Sequence, residues 1–462
     1  MVVLYILPNQ LYDLVDDAFI EEHKISNVVL WEHPDFFTKY KFNKKKLVLH
    51  RASMKYYYDN KLTKLNNVKT RYIEYSDRLK ILEHERCLFF DPINHMRDFK
   101  PTKEHIMFES PNFLLSKDDY NMIAKNKDGT KRKKIRFTSD FYSFCKEKIA
   151  YLEETANQDK FNRNKLNEKK VNIPTVKCKI NAREKKYIDE SIKYVNKHFP
   201  KNYGTLEDVV EKDNFIFPIS SLGAKELFDT FISERMRFFG KYQDAIVKEH
   251  SFLFHSILSS SLNIGLIQPI DIVDTLRKLK TKDVPVQSTE AFFRQLCWRE
   301  FQRYCYIHFP EFSKTNHLKL NKSINMKWYH GTLGIDPVDD CIKKAFNTAY
   351  LHHIERLMVI GNYMLLSEIK PHDAFVWFME FAIDSYEWVM HQNVYDMVFF
   401  CSGGKTTYKP YFTSNSYILN MSNYSSKDKW NDVWKERYIQ FIKNKKDILK
   451  KLPRSFPSKY LK

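Results

Sequence analysis

Hydrophobic and polar positions follow two different patterns along this chain. Near the N-terminus, short apolar runs rich in β-branched residues lie at 2–7, 28–31 and 47–50, with a weaker alternation at 71–75. Stretches with helical spacing, such as residues 52–64, separate these runs. This alternation is typical of βαβ units around a parallel sheet. We therefore expect a Rossmann-like α/β domain over residues 1–135.

The remainder of the chain has helical periodicity. Apolar positions recur at helical spacing over residues 228–239 and 284–309, and no strand pattern follows. We expect a helical connector with charged loops over 136–214 and one large all-α domain over 215–462.

One stretch of the C-terminal part, residues 344–366, combines an apolar face with a polar cluster. Apolar or small residues recur at spacings of three and four at Phe346, Ala349, Tyr350, Leu357, Gly361 and Leu365. The pattern predicts one helix that turns this face, and His353 with it, towards the interior. His352 and Arg356 lie within a turn of His353, and buried polar groups need partners. His353 is therefore either a satisfied core residue or a residue kept for chemistry.

Polar residues follow the first two predicted strands. Pro8, Asn9 and Gln10 follow the first strand and Glu32 follows the second. Ligands of parallel sheets bind beyond the carboxyl ends of the strands. These residues either line a small-molecule pocket or serve as turn and capping residues.

The charge balance favours a polyanionic partner. The 462 residues include 76 Lys and Arg against 57 Asp and Glu, a net charge of +19. Nucleic acid is the simplest partner for such an excess, although an AT-rich genome also enriches lysine. Residues 125–136, KNKDGTKRKKIR, form either a solvated loop, a phosphate contact or a nuclear signal.

The cysteines indicate neither a metal site nor a disulfide framework. All seven are scattered without a CxxC pair, which is typical of a reducing compartment. No apolar run approaches the roughly 20 residues that span a bilayer, and the first residues have the pattern of a buried strand. We expect a cytoplasmic monomer without membrane attachment, and a nuclear location stays open.

Two further segments carry polar groups suited to ligands. In HSILSSSLNIGLIQP, residues 255–269, four polar side chains could cap a helix or bind a phosphate: Ser259, Ser260, Ser261 and Asn263. In residues 293–303, Trp298 lies among Gln295, Arg299 and Gln302. This tryptophan is either a stacking platform or a core residue with a solvated edge.

Several segments together resemble the photolyase and cryptochrome family. FFRQLCWREFQRY is similar to its WREF segment, and HSILSSSLNIG is similar to its flavin-phosphate loop. YLHHIERLMVIGNYMLL, DSYEWVMHQN and TTYKPYFTSNSYILNMSNY resemble one branch more closely, the prokaryotic photolyases related to the iron–sulfur (6-4) enzymes. YILPNQL and KLVLHRASMKYY resemble the antenna domain of that branch.

The resemblance implies an FAD cofactor in the all-α domain. The residues that match positions holding or flanking the flavin are Tyr242, Ser259, Leu262, Asn263, Gln295, Arg299 and Asp384. The serine-rich loop and Arg299 are expected to bind the FAD pyrophosphate by charge-assisted hydrogen bonds. Trp377, with Trp328 or Tyr329, matches the chain that carries electrons to the surface.

The resemblance also implies a pocket for UV-damaged DNA. Trp298 matches a position beside the flipped base, and Tyr411 and Tyr417 match positions near the damaged pair. His352 and His353 match the paired histidines of the (6-4) enzymes, and the second is the catalytic proton donor. A base must leave the stack to meet the flavin, which would account for a basic surface and an aromatic pocket together.

This chain departs from the iron–sulfur branch at the cluster ligands. Ser425 and Asp428 stand at two cysteine positions, Pro337 aligns with a third, and Cys341 is one helical turn away. Because thiolates hold such clusters, we expect no iron–sulfur cluster and no other metal. PNQL replaces GDQL after the first strand, which weakens the case for an antenna pigment of lumazine or another type.

The sequence therefore predicts an FAD-dependent, blue-light-driven DNA photolyase, with (6-4) repair favoured because of His353. Two alternatives stay open. The protein could repair cyclobutane dimers, which needs no donor at His353, or it could be a cryptochrome-like photoreceptor without repair activity.

Overall fold

The computed structural model describes residues 2–77, 79, 86–97, 105–151, 162, 164–167, 169–212 and 215–452. The chain divides into two units that are each built from separate stretches. The first comprises Met1–Ser116, Thr175–Ser233 and Ser256–Thr275, and the second comprises Lys117–Pro174, Glu234–His255 and Leu276–Lys462. The contiguous domain boundaries expected from the sequence stay a prediction.

The first unit contains a five-stranded parallel sheet. Its strands are β1 (Val2–Ile6), β2 (Asn27–Trp31), β3 (Lys69–Ile73), β4 (Arg86–Phe90) and β5 (Ile106–Phe108), in the spatial order β3-β2-β1-β4-β5. β1 is central and nearly continuously apolar, as expected of a strand in a parallel sheet that is covered on both faces. The parallel α/β fold predicted for this region is confirmed.

One predicted strand is wrong. Residues 47–50 lie inside the helix Lys44–Asn60, which begins after Asn43, whose side chain accepts a hydrogen bond from Lys45 N. A short apolar run does not distinguish a strand from a buried helix by periodicity alone. Here the helix is buried from Lys45 through Met54, so the apolar positions do not mark one face. The strands β4 and β5 were not predicted.

Helices accompany this sheet in the first unit. Their bounds are Asp17–Glu22, Lys44–Asn60, Ala182–His198, Glu207–Lys212, Ser221–Thr230 and Ser259–Ile264, with 3₁₀ turns at Pro34–Phe36 and Leu62–Lys64. Ala182–His198 begins with a capping box in which Asn181 and Glu184 satisfy each other's backbone N–H groups. Arg51, on Lys44–Asn60, reaches Glu190 on this second helix at 3.0 Å and joins the two.

The described part of the second unit contains helices and no strands longer than an isolated bridge, which confirms the helical prediction. Its α-helices are Lys117–Ile123, Tyr142–Ile149, Met236–Tyr242, Val286–His308, Lys327–His330, Asp336–Thr348, Asn362–Leu366, Pro371–Phe381, Glu387–Met390, Asn415–Met421, Trp430–Asn444 and Lys446–Leu449. Wider π-helical turns occupy Phe137–Phe141, Glu355–Gly361 and His391–Val398, and a 3₁₀ turn occupies Pro310–Lys314. The π-helical segment Phe231–Arg235 and the α-helix Pro269–Lys278 run across unit boundaries.

No helix in the described part of the chain is both long enough and apolar enough to cross a membrane.

Candidate active site

The predicted helix over residues 344–366 is interrupted, and the interruption changes which histidine is buried. Asp336–Thr348 ends at Ala349, whose φ of 57° is left-handed. The chain becomes helical again only at His353. A left-handed residue ends a helix and redirects the chain. His352 is therefore buried, whereas the side chain of His353 is 39% exposed. The prediction that His353 points into the interior is wrong.

Three imidazoles from two distant stretches meet in the second unit. His255, His352 and His353 each offer a ring nitrogen, and these nitrogens lie within 4.8 Å of one another. The rings of His255 and His352 are stacked, with centroids 4.7 Å apart and an interplanar angle of 14°. The ring nitrogens of His255 face the carbonyl oxygens of Phe252 and Gln243 at 3.1 and 3.2 Å. Metal ligation by His255 would compete with these two contacts. The expectation that no metal binds here stays a prediction.

Burial keeps two of the three imidazoles neutral. Burial, with a contribution from His353, lowers the pKa of His255 to about 3. Burial also lowers the pKa of His352 well below its ordinary value. Neither ring nitrogen of His352 has a hydrogen-bond partner among the described residues. A buried imidazole without partners indicates that a polar group from elsewhere contacts it.

His353 differs from its two neighbours because it combines solvent access with a carboxylate partner. Its Nε2 lies 3.4 Å from Oδ1 of Asp244. His352 Nε2 lies 3.5 Å from Glu355 Oε2, but outside hydrogen-bonding geometry. Glu355 is instead paired with the Lys344 ammonium. Of the three histidines, His353 is thus the one that is both accessible and next to a carboxylate outside its own helical turn.

Asp384, predicted to contact the flavin, forms a buried ion pair. Its Oδ1 lies 2.9 Å from Nη2 of Arg356, and Arg356 Nε donates to the carbonyl of Leu351 at 2.7 Å. Arg356 thus connects the segment before His352 to the start of Glu387–Met390. The sequence singled out both residues but did not predict that they pair.

The residues Tyr242, Gln243 and Asp244 link several candidate groups. Tyr242 is buried against Phe254, with ring centroids 5.8 Å apart. The side chain of Gln243 accepts a hydrogen bond from Gln295 Nε2 at 3.4 Å, its carbonyl faces His255, and Asp244 faces His353. One short segment therefore contacts Gln295 and His353, which the sequence suggested, and His255, which it did not.

Arg299 lies in the same unit on the helix Val286–His308. Its guanidinium lies 4.9 Å from the centroid of the Trp388 ring, a cation–π distance. A half-buried guanidinium held in this way remains suited to a phosphate, since Arg keeps its charge in all proteins.

The predicted flavin-phosphate loop forms a short helix of the first unit. Ser259, Leu262 and Asn263 lie on Ser259–Ile264, whose N-cap is Leu258 without a side-chain capping bond. The buried hydroxyls of Ser260 and Ser261 have no partner among the described residues. Buried hydroxyls without partners cost stability, so these two fit a polar ligand such as a phosphate.

Trp298 and the two candidate tyrosines differ in exposure. One face of Trp298 is covered by Phe137, whose ring stacks at 3.7 Å with an interplanar angle of 16°. Stacking on a flipped base would therefore use the opposite face. Tyr411 is 40% exposed and Tyr417 is half-buried.

The predicted electron-transfer residues are in contact. Trp377 is fully buried, and its Nε1 donates to the carbonyl of Trp328 at 2.8 Å. The ring of Trp328 lies 6.1 Å from that of Tyr363, which lies 4.9 Å from Trp434. Tyr329 instead donates its hydroxyl proton to Glu380 at 2.8 Å. The side chain of Trp377 is thus bonded to the backbone of Trp328, and the electron-transfer roles stay predictions.

The absence of an iron–sulfur cluster, expected from the residue types, stays a prediction. Cys341 is buried in the helix Asp336–Thr348, and burial raises the pKa of its thiol well above the ordinary value. Nearby, Tyr424 donates to Asp340 Oδ2 at 3.0 Å and packs against Trp430 at 6.1 Å. In the described residues, the metal-ligand cluster of the three histidines includes no cysteine.

Two polar residues at the carboxyl edge of the sheet, Gln10 and Glu32, are bonded to the protein. Gln10 accepts from Leu7 N and donates to the carbonyl of Phe90, both at 3.0 Å. Glu32 binds Arg51 at 3.0 Å and also accepts from the hydroxyl of Tyr72. Burial raises the pKa of Glu32, and Arg51 opposes this shift. These side chains are therefore engaged without a pigment.

Sequence reasoning missed His255, Gln243 and Asp244 as members of this site. Each is a single polar residue in a turn or an irregular segment, far from the histidine pair along the chain. The one available signal was that His255 begins the serine-rich segment. Only the fold brings these side chains to His352 and His353.

Two parts of the chain match models of known protein families. Residues 4–210 match the family described as deoxyribodipyrimidine photo-lyase-related protein, and residues 292–455 match the FAD binding domain of DNA photolyase. The chain belongs to the photolyase and cryptochrome family.

One curated relative and two solved structures are similar to this chain. Over 242 residues the chain is 34% identical to a (6-4) photolyase of Agrobacterium fabrum, a match that covers 52% of this chain and 46% of that protein. A bacterial class III photolyase from Agrobacterium tumefaciens superposes with a TM-score of 0.59 at 14% identity, covering 99% of this chain and 91% of its own. A Synechocystis cryptochrome gives 0.59 at 13% identity, covering 98% and 89%. Because these two identities are low, the two structures establish the fold of this chain and not its function.

Proposed function

We propose that this protein is an FAD-dependent DNA photolyase that uses blue light to repair (6-4) pyrimidine photoproducts. The observation that carries this proposal is the position of His353. It is half-exposed, it faces Asp244 at 3.4 Å, and it adjoins two imidazoles that burial keeps neutral. Among the three clustered histidines, it is the one suited to deliver a proton to a bound substrate.

The chain's own residues fit a flavin. When bound, the reduced flavin supplies an electron to the photoproduct after it absorbs light. Gln295 and Arg299 of the second unit offer an amide and a guanidinium, and His352 offers ring nitrogens without other partners among the described residues.

His353 would act as the general acid. A protonated imidazole has an N–H on both nitrogens. Nε2–H would point to Asp244, and Nδ1–H would remain for the oxygen that must return to its own base. Asp244 would hold the ring orientation and stabilise the imidazolium after each proton returns.

The substrate would be a base flipped from UV-damaged duplex DNA, with Trp298, Tyr411 and Tyr417 around it. We further propose that the protein acts as a monomer in a reducing compartment, without an iron–sulfur cluster. An antenna pigment receives no support from Gln10 and Glu32, because both side chains are bonded to the protein.

A repair assay with single defined lesions tests the function. Purified protein is reduced with dithionite and mixed with duplexes that carry one (6-4) photoproduct or one cyclobutane dimer. We expect blue light to restore the (6-4) duplex, with no change in the dark. Repair of the cyclobutane dimer alone would replace our proposal with the first alternative. Bound FAD without repair of either lesion would favour a photoreceptor, and a colourless protein that takes up no FAD would overturn both.

A further inference from the structure

Residues 125–136 of the second unit form a hairpin rich in lysine and arginine, which we call the basic hairpin. Lys125 and Lys131 pair as an antiparallel bridge, and Asn126 N donates to Thr130 O at 2.8 Å. Gly129 has a φ of +82°, a conformation that favours glycine in the turn. The Asp128 carboxylate accepts from Thr130 N at 2.9 Å. Local hydrogen bonds therefore fix the turn.

The base of the basic hairpin is fixed as well. Arg132 N donates to Ala124 O at 2.8 Å, and Arg132 Nε donates to Lys125 O at 3.0 Å. Its last residues are hydrogen-bonded to the loop that follows His391–Val398. Ile135 N donates to Lys405 O at 3.0 Å, and Arg136 Nη1 donates to Thr407 O at 2.8 Å.

The loop that receives these bonds carries exposed aromatic rings. The guanidinium of Arg136 lies 4.3 Å from the ring centroid of Tyr408, which is 63% exposed, and Tyr411 follows three residues later. The basic hairpin is therefore bonded to the same loop that presents a candidate lesion contact. Cationic and aromatic groups side by side are typical of nucleic-acid surfaces.

Three cations of the basic hairpin have no acidic partner among the described residues. It contains seven Lys and Arg and one acid, Asp128, whose carboxylate is used in the turn. Lys127, Lys133 and Lys134 are exposed, and none has a carboxylate partner among the described residues. A cluster of unpaired like charges repels itself, so its presence on a fixed scaffold favours an anionic partner.

We propose that the basic hairpin binds the phosphate backbone of duplex DNA beside the lesion and supplies affinity that does not depend on damage. This inference rests on the proposed function and assigns a role to a surface outside the histidine site. A preformed hairpin loses little conformational entropy on binding. Phosphate contacts fix register without reading bases, so the hairpin would help to hold the damaged strand where the loop of Tyr411 can reach it.

The test compares two triple variants of the full-length, FAD-loaded protein. The hairpin variant carries Lys127→Gln, Lys133→Gln and Lys134→Gln. The matched control carries Lys435→Gln, Lys443→Gln and Lys450→Gln, three exposed lysines near the C-terminus that give the same change in net charge. Affinities for damaged and undamaged duplexes are measured across a salt series, and flavin absorbance and thermal unfolding confirm that each variant is folded.

We expect the hairpin variant to bind both duplexes more weakly by the same factor. Its plot of log affinity against log salt should be shallower by roughly 0.9 for each DNA phosphate that the variant no longer neutralises. The control should keep a slope close to that of the parent. With DNA at saturating concentration, single-turnover repair by the hairpin variant should match the parent, because the histidine site is unchanged.

Three outcomes would overturn the inference. These are a salt slope equal to that of the control, a weakening confined to damaged DNA, and unchanged DNA affinity accompanied by weaker binding to an acidic peptide. If the parent repairs lesions in any of these cases, the proposed function stands and only the hairpin's role is rejected. If the parent neither binds nor repairs damaged DNA, the proposed function fails first.

Discussion

The imidazole of His353 lies 3.4 Å, from Nε2 to Oδ1, from the carboxylate of Asp244, a residue on a separate segment of the second unit. The contact gives a half-exposed histidine a fixed orientation next to two buried, neutral imidazoles. This contact supports His353 as the proton donor. Substitutions of His353 therefore discriminate between the candidate functions.

Replacing His353 should separate flavin binding from repair. We expect His353→Ala to retain FAD but to lower single-turnover (6-4) repair by roughly 10² to 10⁴, because no other group in the cluster is placed to donate the proton. His353→Asn should fail similarly, since an amide keeps hydrogen bonding but supplies no acidic proton. The exposed His330→Ala is the matched control and should repair at the parental rate. Parental repair by His353→Ala would show that the assignment is wrong.

The buried histidine stack should make stability depend on pH. Burial lowers the pKa of His255 to about 3 in the folded protein, against about 6.5 when it is unfolded. Between these values the unfolded chain binds more protons, so the free energy of unfolding falls as the pH is lowered below about 6.5.

The variant His255→Phe keeps a ring in the stack but cannot be protonated. We expect the stability of the parent relative to this variant to fall by at most about 1.4 kcal/mol per pH unit over that window. Chemical denaturation at a series of pH values measures the difference, in which the carboxylates common to both proteins cancel. Parallel pH profiles for parent and variant would contradict a neutral, buried His255.

Trp377 should matter for light-driven reduction of the flavin and not for repair itself. We expect Trp377→Phe to slow photoreduction, because phenylalanine is much harder to oxidise than tryptophan, while protein already reduced with dithionite repairs at the parental rate. The buried Trp31→Phe, in the sheet of the first unit, is the control and should leave photoreduction unchanged. Equal photoreduction rates for Trp377→Phe and the parent would reject this route.

Metal analysis tests the expectation that no cluster is present. With Pro337, Ser425 and Asp428 at the corresponding positions, protein purified without oxygen should contain neither stoichiometric iron nor acid-labile sulfide, because thiolates hold such clusters. Elemental analysis and a sulfide assay measure both. If each chain contained the iron and sulfide of one cluster, residues at other positions would have to hold that cluster.

Much of the fold was predictable because it depends on local periodicity. Runs such as Val2–Ile6 and Asn27–Trp31 are continuously apolar because strands of a covered parallel sheet are buried on both faces. The helix Val286–His308 followed from its spacing. The run at 47–50 was misassigned because a buried helix and a buried strand have the same apolar composition over four residues.

The sequence by itself determined the class of this protein, its basic charge, the histidine pair and most of the candidate ligands, since each depends on residue type or near-neighbour spacing. Only the tertiary structure decided which histidine is buried. The left-handed Ala349 interrupts the helical phase on which the prediction for His353 relied. Tertiary structure likewise brought Asp244 and His255 to the histidine pair and attached the basic hairpin to the loop of Tyr408. Contacts between residues far apart in sequence leave no periodic signal, because packing and not local spacing determines them.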